Sequence, residues 1–389
     1  MNRLSPFRLL TLHFAIFQFS VALAGGFVGA YLLKLGFSLP VALVAYASLL
    51  AVRFGLRFLA LGVIRRVGYR GAIVIGTALG AAQFLPLMHA DEPLGLVAWL
   101  LAASLAESLY WPVYHSAVAV TSRGARGHEL GIRTAVGAVV GVAGPLGGGI
   151  LLERFGPAVD FGMASALALL SALPLLALSR IPAGPVPTAR ESIRGMDLSG
   201  VAAFAADGWM ASGLSLAWPI IHFVSLGSHY EAFGIANAGA GLVGAVTGLL
   251  CGRAIDRGER DRYLLLVSCA LALGFALRAC ASWSPMAATV ANASGAAVGG
   301  LYVPVLMSVI YDRAQHSGAA YRFHFAAEAG WDLGAAGGCL AAALIAWATA
   351  VPSLAVLPAS LGVFGIYRCV RGPAVPKASS LDTAHPVPA

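Results

Sequence analysis

Residues Pro93–Thr121 form an apolar run long enough to cross a bilayer as one helix, and the run carries a carboxylate, Glu107, and an imidazole, His115, in its middle and inner half. A spanning helix needs about 20 apolar residues, and an ionisable group at its centre costs a few kcal/mol to insert. Such a group faces protein or a wet cavity rather than acyl chains. Helical spacing puts Glu107, Trp111 and His115 on one stripe, with Tyr110 and Tyr114 beside it. The helix is therefore expected to wall a polar chamber inside a membrane protein.

The rest of the chain repeats the pattern. Only 11% of its 389 residues are charged and 59% are hydrophobic, whereas soluble domains carry about 25% charged residues. The sequence predicts twelve spans, near 9–33, 38–62, 72–90, 93–121, 131–152, 157–179, 198–226, 231–252, 263–283, 286–311, 322–347 and 350–368. The break at Gly156-Pro157 is the least marked. Arg3, Arg8 and Ala22-Leu-Ala24 imitate a cleavable leader, but the apolar run continues through Phe27–Leu33 and reads as a retained span.

The net charge of +8 does not indicate nucleic acid, because the basic residues sit in short loops. Arg65, Arg66 and Arg70, then Arg123 and Arg126, then Arg180, Arg190 and Arg194 occupy even-numbered loops. So do Arg253, Arg257, Arg260, Arg262, Arg313 and Arg322. Odd loops hold Lys34 and Arg154 with Asp91, Glu92 and Glu231. That asymmetry places both termini and the even loops in the cytoplasm. Cys251, Cys269, Cys280, Cys339 and Cys369 form no CxxC and read as small buried apolar side chains.

The expected organisation is a six-helix bundle over 1–180, a cytoplasmic linker over 181–197 rich in proline, a second bundle over 198–370 and a disordered tail over 371–389. The halves repeat at an offset of 190. Gly62, Gly68 and Arg70 match Gly252, Gly258 and Arg260; Gly144, Gly147 and Gly148 match Gly334, Gly337 and Gly338.

Two motifs carry a family resemblance. Gly252-Arg-Ala-Ile-Asp256-Arg257-Gly258 resembles the G-x-x-x-D-R loop of the major facilitator superfamily, where small residues let helices meet and a charge pair latches the inner gate. The first-half copy has Arg66 in the place of Asp256. Gly144-Pro145-Leu-Gly147-Gly148 in the fifth span is similar to a motif of proton-coupled exporters in that superfamily, and suits a bending helix packed on the eighth span. Gly252, Asp256, Arg257, Gly144, Pro145 and Gly148 are thus candidate gating positions. The resemblance implies that spans one, four, seven and ten line a central cavity.

Intramembrane polar residues supply the other candidates. Arg53 and Arg57 lie one turn apart on the second span, and Arg53 matches Glu107 in depth. An Arg53–Glu107 pair and an Arg that receives substrate both fit. Glu107 is the first candidate for a proton carrier. His324, Glu328 and Asp332 fall at i, i+4 and i+8 on the eleventh span, beside Trp331. That stripe fits a proton relay, a divalent metal or plain structural contacts. Asp207 on the seventh span joins the proton-coupling set. Gln18, Tyr302, Tyr110, Trp111, Tyr114 and His115 join Arg53 and Arg57 as substrate-contact candidates. His13 reads as an interior group, and Arg278, Asn237 and Asn292 sit toward the outer ends.

The sequence thus predicts an all-α polytopic membrane protein of twelve helices in two pseudo-symmetric bundles. The resemblance implies a secondary transporter for a small organic solute, working as a monomer in a lipid bilayer, the bacterial inner membrane. No nucleotide-binding motif is present, so the proton gradient is the expected energy source, with no cofactor or resident metal. The fifth-span motif leans to export by proton antiport, against uptake by symport. A membrane-embedded enzyme would have to use the His324/Glu328/Asp332 stripe, and no hydrolase or zinc signature supports it.

Overall fold

The computed structural model describes residues 5–121, 127–178, 181, 183–255, 260–281 and 284–371. Every regular element among them is helical. Asp256, Arg257, Gly258 and the tail from Gly372 lie outside the described residues. Among the described residues ten helices are long and apolar enough to cross a membrane. One of them, Leu39–Leu87, turns back on itself and supplies two spans. A further span, 198–225, is interrupted by a π-helical segment, so the total is twelve. Pro6, Pro93, Pro157 and Pro285 each open a span, where a missing N–H costs nothing and φ is already helical.

The turn between the second and third spans is tighter than expected. A loop over 63–71 was predicted from its three arginines, yet helix runs to 67 and resumes at 69. Gly68 alone makes the reversal, at φ 73°, ψ 173°. That region is essentially closed to residues with a Cβ. Gly68→Ala should therefore lower the melting temperature of the purified protein, at a cost of roughly 1–3 kcal/mol; an unchanged melt would mean that the turn relaxes freely. Gly156, at φ 81°, ψ 174°, makes the similar break before Pro157.

The first and seventh spans both break their helical run. A 3-10 turn interrupts the first at Gly25–Phe27, and a π-helical stretch, Ser212–Ala217, interrupts the seventh. Pro219 explains the second break, since it offers no N–H to the carbonyl one turn back. Adding the 190-residue offset to Gly25 gives 215, so the two breaks are repeat-related.

Two helix pairs make the most extensive contacts between the halves: the second span packs on the eleventh, and the fifth on the eighth. The repeat exchanges these pairs. Glycine is required where the fifth crosses the eighth, because a Cβ on Gly234 would come within 3.0 Å of the Gly149 Cα. Within each half, Gly144 and Gly148 press on Ala22 and Leu23 of the first span; their counterparts Gly334 and Gly338 press on Ala205 and Ser212 of the seventh. Cys269 and Cys280 depart from expectation, since both are exposed on the bundle surface.

The linker is tied down. Arg65 donates to the Pro187 carbonyl at 2.5 Å and Tyr69 to that of Gly184 at 3.0 Å. A short helix, Ala189–Arg194, opens with a capping box in which Glu191 N–H donates to Thr188 Oγ1 and Thr188 N–H to the Glu191 carboxylate. Those bonds from Thr188 hold the Glu191 carboxyl below the usual range. Its share of the cap therefore persists as pH falls past the ordinary glutamate value and is lost only below that.

Candidate functional site

A cavity of about 250 Å³ lies between the halves. The first, second, third, fourth and seventh spans line it, with Trp331 of the eleventh. Both helix breaks face it, through Gly25 and Gly26 on one side and Ser215 and Leu216 on the other. Tyr46, Trp99, Tyr110, Trp111 and Trp331 give it aromatic walls, and Arg53 and Glu107 are its charged groups.

The fourth span is zipped to the second beside this cavity. Ser104 donates to the Leu49 carbonyl at 2.8 Å, and Ser108 to that of Arg53 at 3.1 Å. These bonds fix the backbone that carries Arg53. Its guanidinium then bridges three elements: Nη1 meets Glu107 Oε2 on the fourth span, and Nε donates to Asp332 Oδ1 on the eleventh at 2.5 Å. Arg57, one turn on, places Nη2 2.5 Å and Nε 3.2 Å from the other oxygen of Asp332, and Nη2 3.4 Å from the Glu328 carbonyl. One carboxylate of the second half thus holds two guanidiniums of the first. Arg53, Arg57 and Asp332 are buried, whereas the Glu107 side chain remains 34% exposed to the cavity.

A second polar layer lies one turn deeper. His115 Nε2 is 3.6 Å from Glu328 Oε1, and its Nδ1 is 3.0 Å from the Tyr311 hydroxyl. His324 stacks on His115 with centroids 5.5 Å apart. The predicted stripe of the eleventh span therefore lies against the stripe of the fourth. Among the described residues no group of three His, Cys, Asp or Glu side chains is placed to hold a metal ion.

Trp331 links the cage to a neighbouring carboxylate, Asp207, that pairs with neither guanidinium. Its ring covers the Arg53 guanidinium at 4.9 Å, and its Nε1 donates to Asp207 at 3.0 Å. Tyr302 donates to the other oxygen of Asp207 at 2.7 Å. Tyr302 is thereby a partner of Asp207 rather than a cavity wall. Arg57, Tyr114, His115 and Gln18 likewise do not line the cavity, against the expectation that they contact solute. Tyr114 stacks on Phe14 at 4.9 Å, turned toward the first span. His13 donates from Nδ1 to the Ser171 carbonyl at 2.7 Å, and its Nε2 lies 3.0 Å from the Tyr110 hydroxyl. Trp209 donates to the Pro358 carbonyl at 2.8 Å. Gly144, Pro145 and Gly148 sit in the packed fifth span. Gly252 falls in the eighth, and its partners Asp256 and Arg257 fall outside the described residues.

Sequence reasoning missed Tyr311 and the sharing of Asp332. It also missed Asp160, a fully buried carboxylate with neither oxygen hydrogen-bonded. The charges of Asp160 and Asp332 were legible, but their neighbours were not.

Beyond the cavity the halves meet on both sides. Toward the Lys34 end, Ile220 packs on Gly29, and Lys34 lies over the Phe223 and Tyr230 rings. Toward the chain termini, Tyr321 packs on Tyr69 at 5.0 Å and Phe325 on Phe58 at 5.7 Å. The site is a polar cage with a solute-sized void above it and packed rims at each end.

No curated protein matches the sequence. The structure is similar to that of the nucleoside transporter NupG, in a point-mutant form, with a TM-score of 0.67 at 13% identity over 94% of this chain and 98% of that one. It is also similar to the transporter FucP in its outward conformation, with a TM-score of 0.60 at 15% identity over 94% and 98%. A mutant of FucP, the E. coli fucose:proton symporter, gives 0.63 at 15% identity with the same coverage. The sequence pattern of the Major Facilitator Superfamily matches residues 10–328, most of the chain. With twelve spans in repeated halves around a central cavity, this chain belongs to the Major Facilitator Superfamily.

Proposed function

We propose that the chain is a proton-coupled secondary transporter that carries a small organic solute through the central cavity by alternating access. The observation that supports this most is the charge count of the cage. Two guanidiniums, Arg53 and Arg57, stand with three carboxylates, Glu107, Asp332 and Glu328. Fully ionised, the set carries one surplus negative charge where little water can screen it. One proton balances it, and Glu328 against His115 is the place to hold that proton.

The two guanidiniums tie the second span to the eleventh, so the halves rock apart there only when the tie loosens. A proton and a solute that bind the loosened state better shift that equilibrium. Glu107 takes part because it faces the cavity while paired to Arg53. The aromatic walls suit a ring-shaped solute with polar groups. The basic even loops favour cytoplasmic termini in a bacterial inner membrane.

The Gly144-Pro145 motif favours export by proton antiport. Uptake by symport is the second reading, and a proton carried on Glu107 instead of Glu328 would favour it, since proton and solute would then load from one cavity. Reconstitution separates them. Uridine and fucose are the first solutes to offer, followed by hits from a thermal-shift screen of metabolites. Flux should follow an imposed pH gradient and stop with a protonophore, and the sign of the gradient that drives it distinguishes antiport from symport. Net flux that ignores the gradient removes the proton; binding without counterflow removes transport.

A further inference from the structure

A second void, of about 430 Å³, lies beside the central one, between the first, fifth, eighth and tenth spans. The two share Val21, Gly26 and Pro219 as walls. Arg278, at the end of the ninth span, lines the second void. It is 2% exposed, has no ion pair among the described residues, and its Nε has no hydrogen-bond partner. Flat surfaces hold it instead: the Trp218 indole at 5.3 Å, the Phe275 ring at 5.8 Å and the bare backbone of Gly295. Arg53 and Arg57 are equally buried but share Asp332. A buried guanidinium with no counter-charge is costly in a bilayer.

The neighbours of Arg278 add donors. Trp218 Nε1 can only donate, and it donates to Asn292 Oδ1 at 3.0 Å. That turns Asn292 Nδ2 toward Asn237 Oδ1 at 3.0 Å, and Asn237 Nδ2 toward the Phe233 carbonyl at 2.8 Å. Each amide nitrogen keeps one further N–H. The remaining wall is apolar, with Leu214, Phe233 and Phe27.

We propose that this void is a second binding site, which takes the carboxylate of a small organic monoanion with an apolar body. The guanidinium receives the carboxylate through paired N–H bonds, and the spare amide N–H groups of Asn237 and Asn292 complete its shell. One positive charge among apolar walls selects a monoanion over a phosphate dianion. The site stands independently of the transport reading, because its occupancy is measured by binding alone.

The test uses the full chain in phosphatidylcholine nanodiscs, with benzoate, benzamide and inorganic phosphate as probes. Benzamide keeps the shape of benzoate and lacks its charge. Benzoate should raise the melting temperature saturably, while benzamide and phosphate should not. In Arg278→Gln the apparent benzoate affinity should fall by roughly tenfold or more, and the empty protein should melt higher than wild type because an uncompensated charge is gone. Should that variant fail to fold, Asn237→Leu supplies the second measurement, with weaker benzoate binding expected. Equal shifts from benzamide, or a benzoate shift that survives both substitutions, would overturn the proposal. So would phosphatidylglycerol that co-purifies with wild type, is lost from Arg278→Gln and blocks benzoate, since a lipid headgroup would then fill the void.

Discussion

Asp332→Asn is expected to abolish flux driven by a pH gradient and to destabilise the protein. Asp332 is fully buried, and its two oxygens serve Arg53 and Arg57 together. An asparagine keeps one acceptor and turns an amide N–H toward a guanidinium that is itself only a donor. Removing one partner of a buried ion pair costs about 3–5 kcal/mol, because the remaining charge stays buried. Here two charges lose their common partner, so the upper part of that range applies. Proteoliposome flux reads the first effect and thermal melts of the purified variant read the second. A variant that melts with wild type and still accumulates solute would mean that the cage does not join the halves.

Glu328→Gln, one turn away on the same helix, should behave differently. In the proposed scheme Glu328 is the carboxylate in surplus, since its side chain faces His115 rather than a guanidinium. Glutamine leaves two guanidiniums with two carboxylates, a balanced set that needs no proton. The variant should melt at or above the wild-type temperature. It should still exchange labelled for unlabelled solute across the membrane, and it should no longer accumulate solute against a gradient when pH is stepped. Exchange and accumulation lost together, with a lowered melt, would make Glu328 a structural group. Retained accumulation would move the proton elsewhere in the cage, with Glu107 next in line.

The spans were legible because a run of apolar residues long enough to cross lipid is a property of composition, and the repeat was legible because its glycines keep one offset. The turn at Gly68 was not, because three arginines nearby look like a loop while the reversal takes a single residue with positive φ. The stripes on the fourth and eleventh spans were legible from i, i+4 spacing. Their union was not. Arg53 matched Glu107 by depth alone, and that pair forms, but Asp332 lies 279 residues from Arg53 and reaches it only through the way the two halves face each other. Helical periodicity gives the face of a helix and its depth, and it leaves open which helix of the other half stands opposite. Arg278 shows the same boundary: its place toward the outer end of its span was readable, and its lack of a carboxylate among the described residues was not.

The fastened linker sets a limit on how far the halves can part at the face where it runs. Its first part is held to the second and third spans by Arg65 and Tyr69, and at the far end the Arg322 guanidinium packs on Gly195. Between these anchors lies the six-residue helix Ala189–Arg194. Coiled, it is about 9 Å long at roughly 1.5 Å per residue; drawn out, it reaches about 20 Å at roughly 3.3 Å per residue. Small excursions leave it wound, and a wide gape must unwind it against its threonine cap, so it acts as a recoil spring. Deuterium uptake by its amides should rise when the protein is held open on that face and fall when it is held shut, which makes those six amides a gauge of aperture.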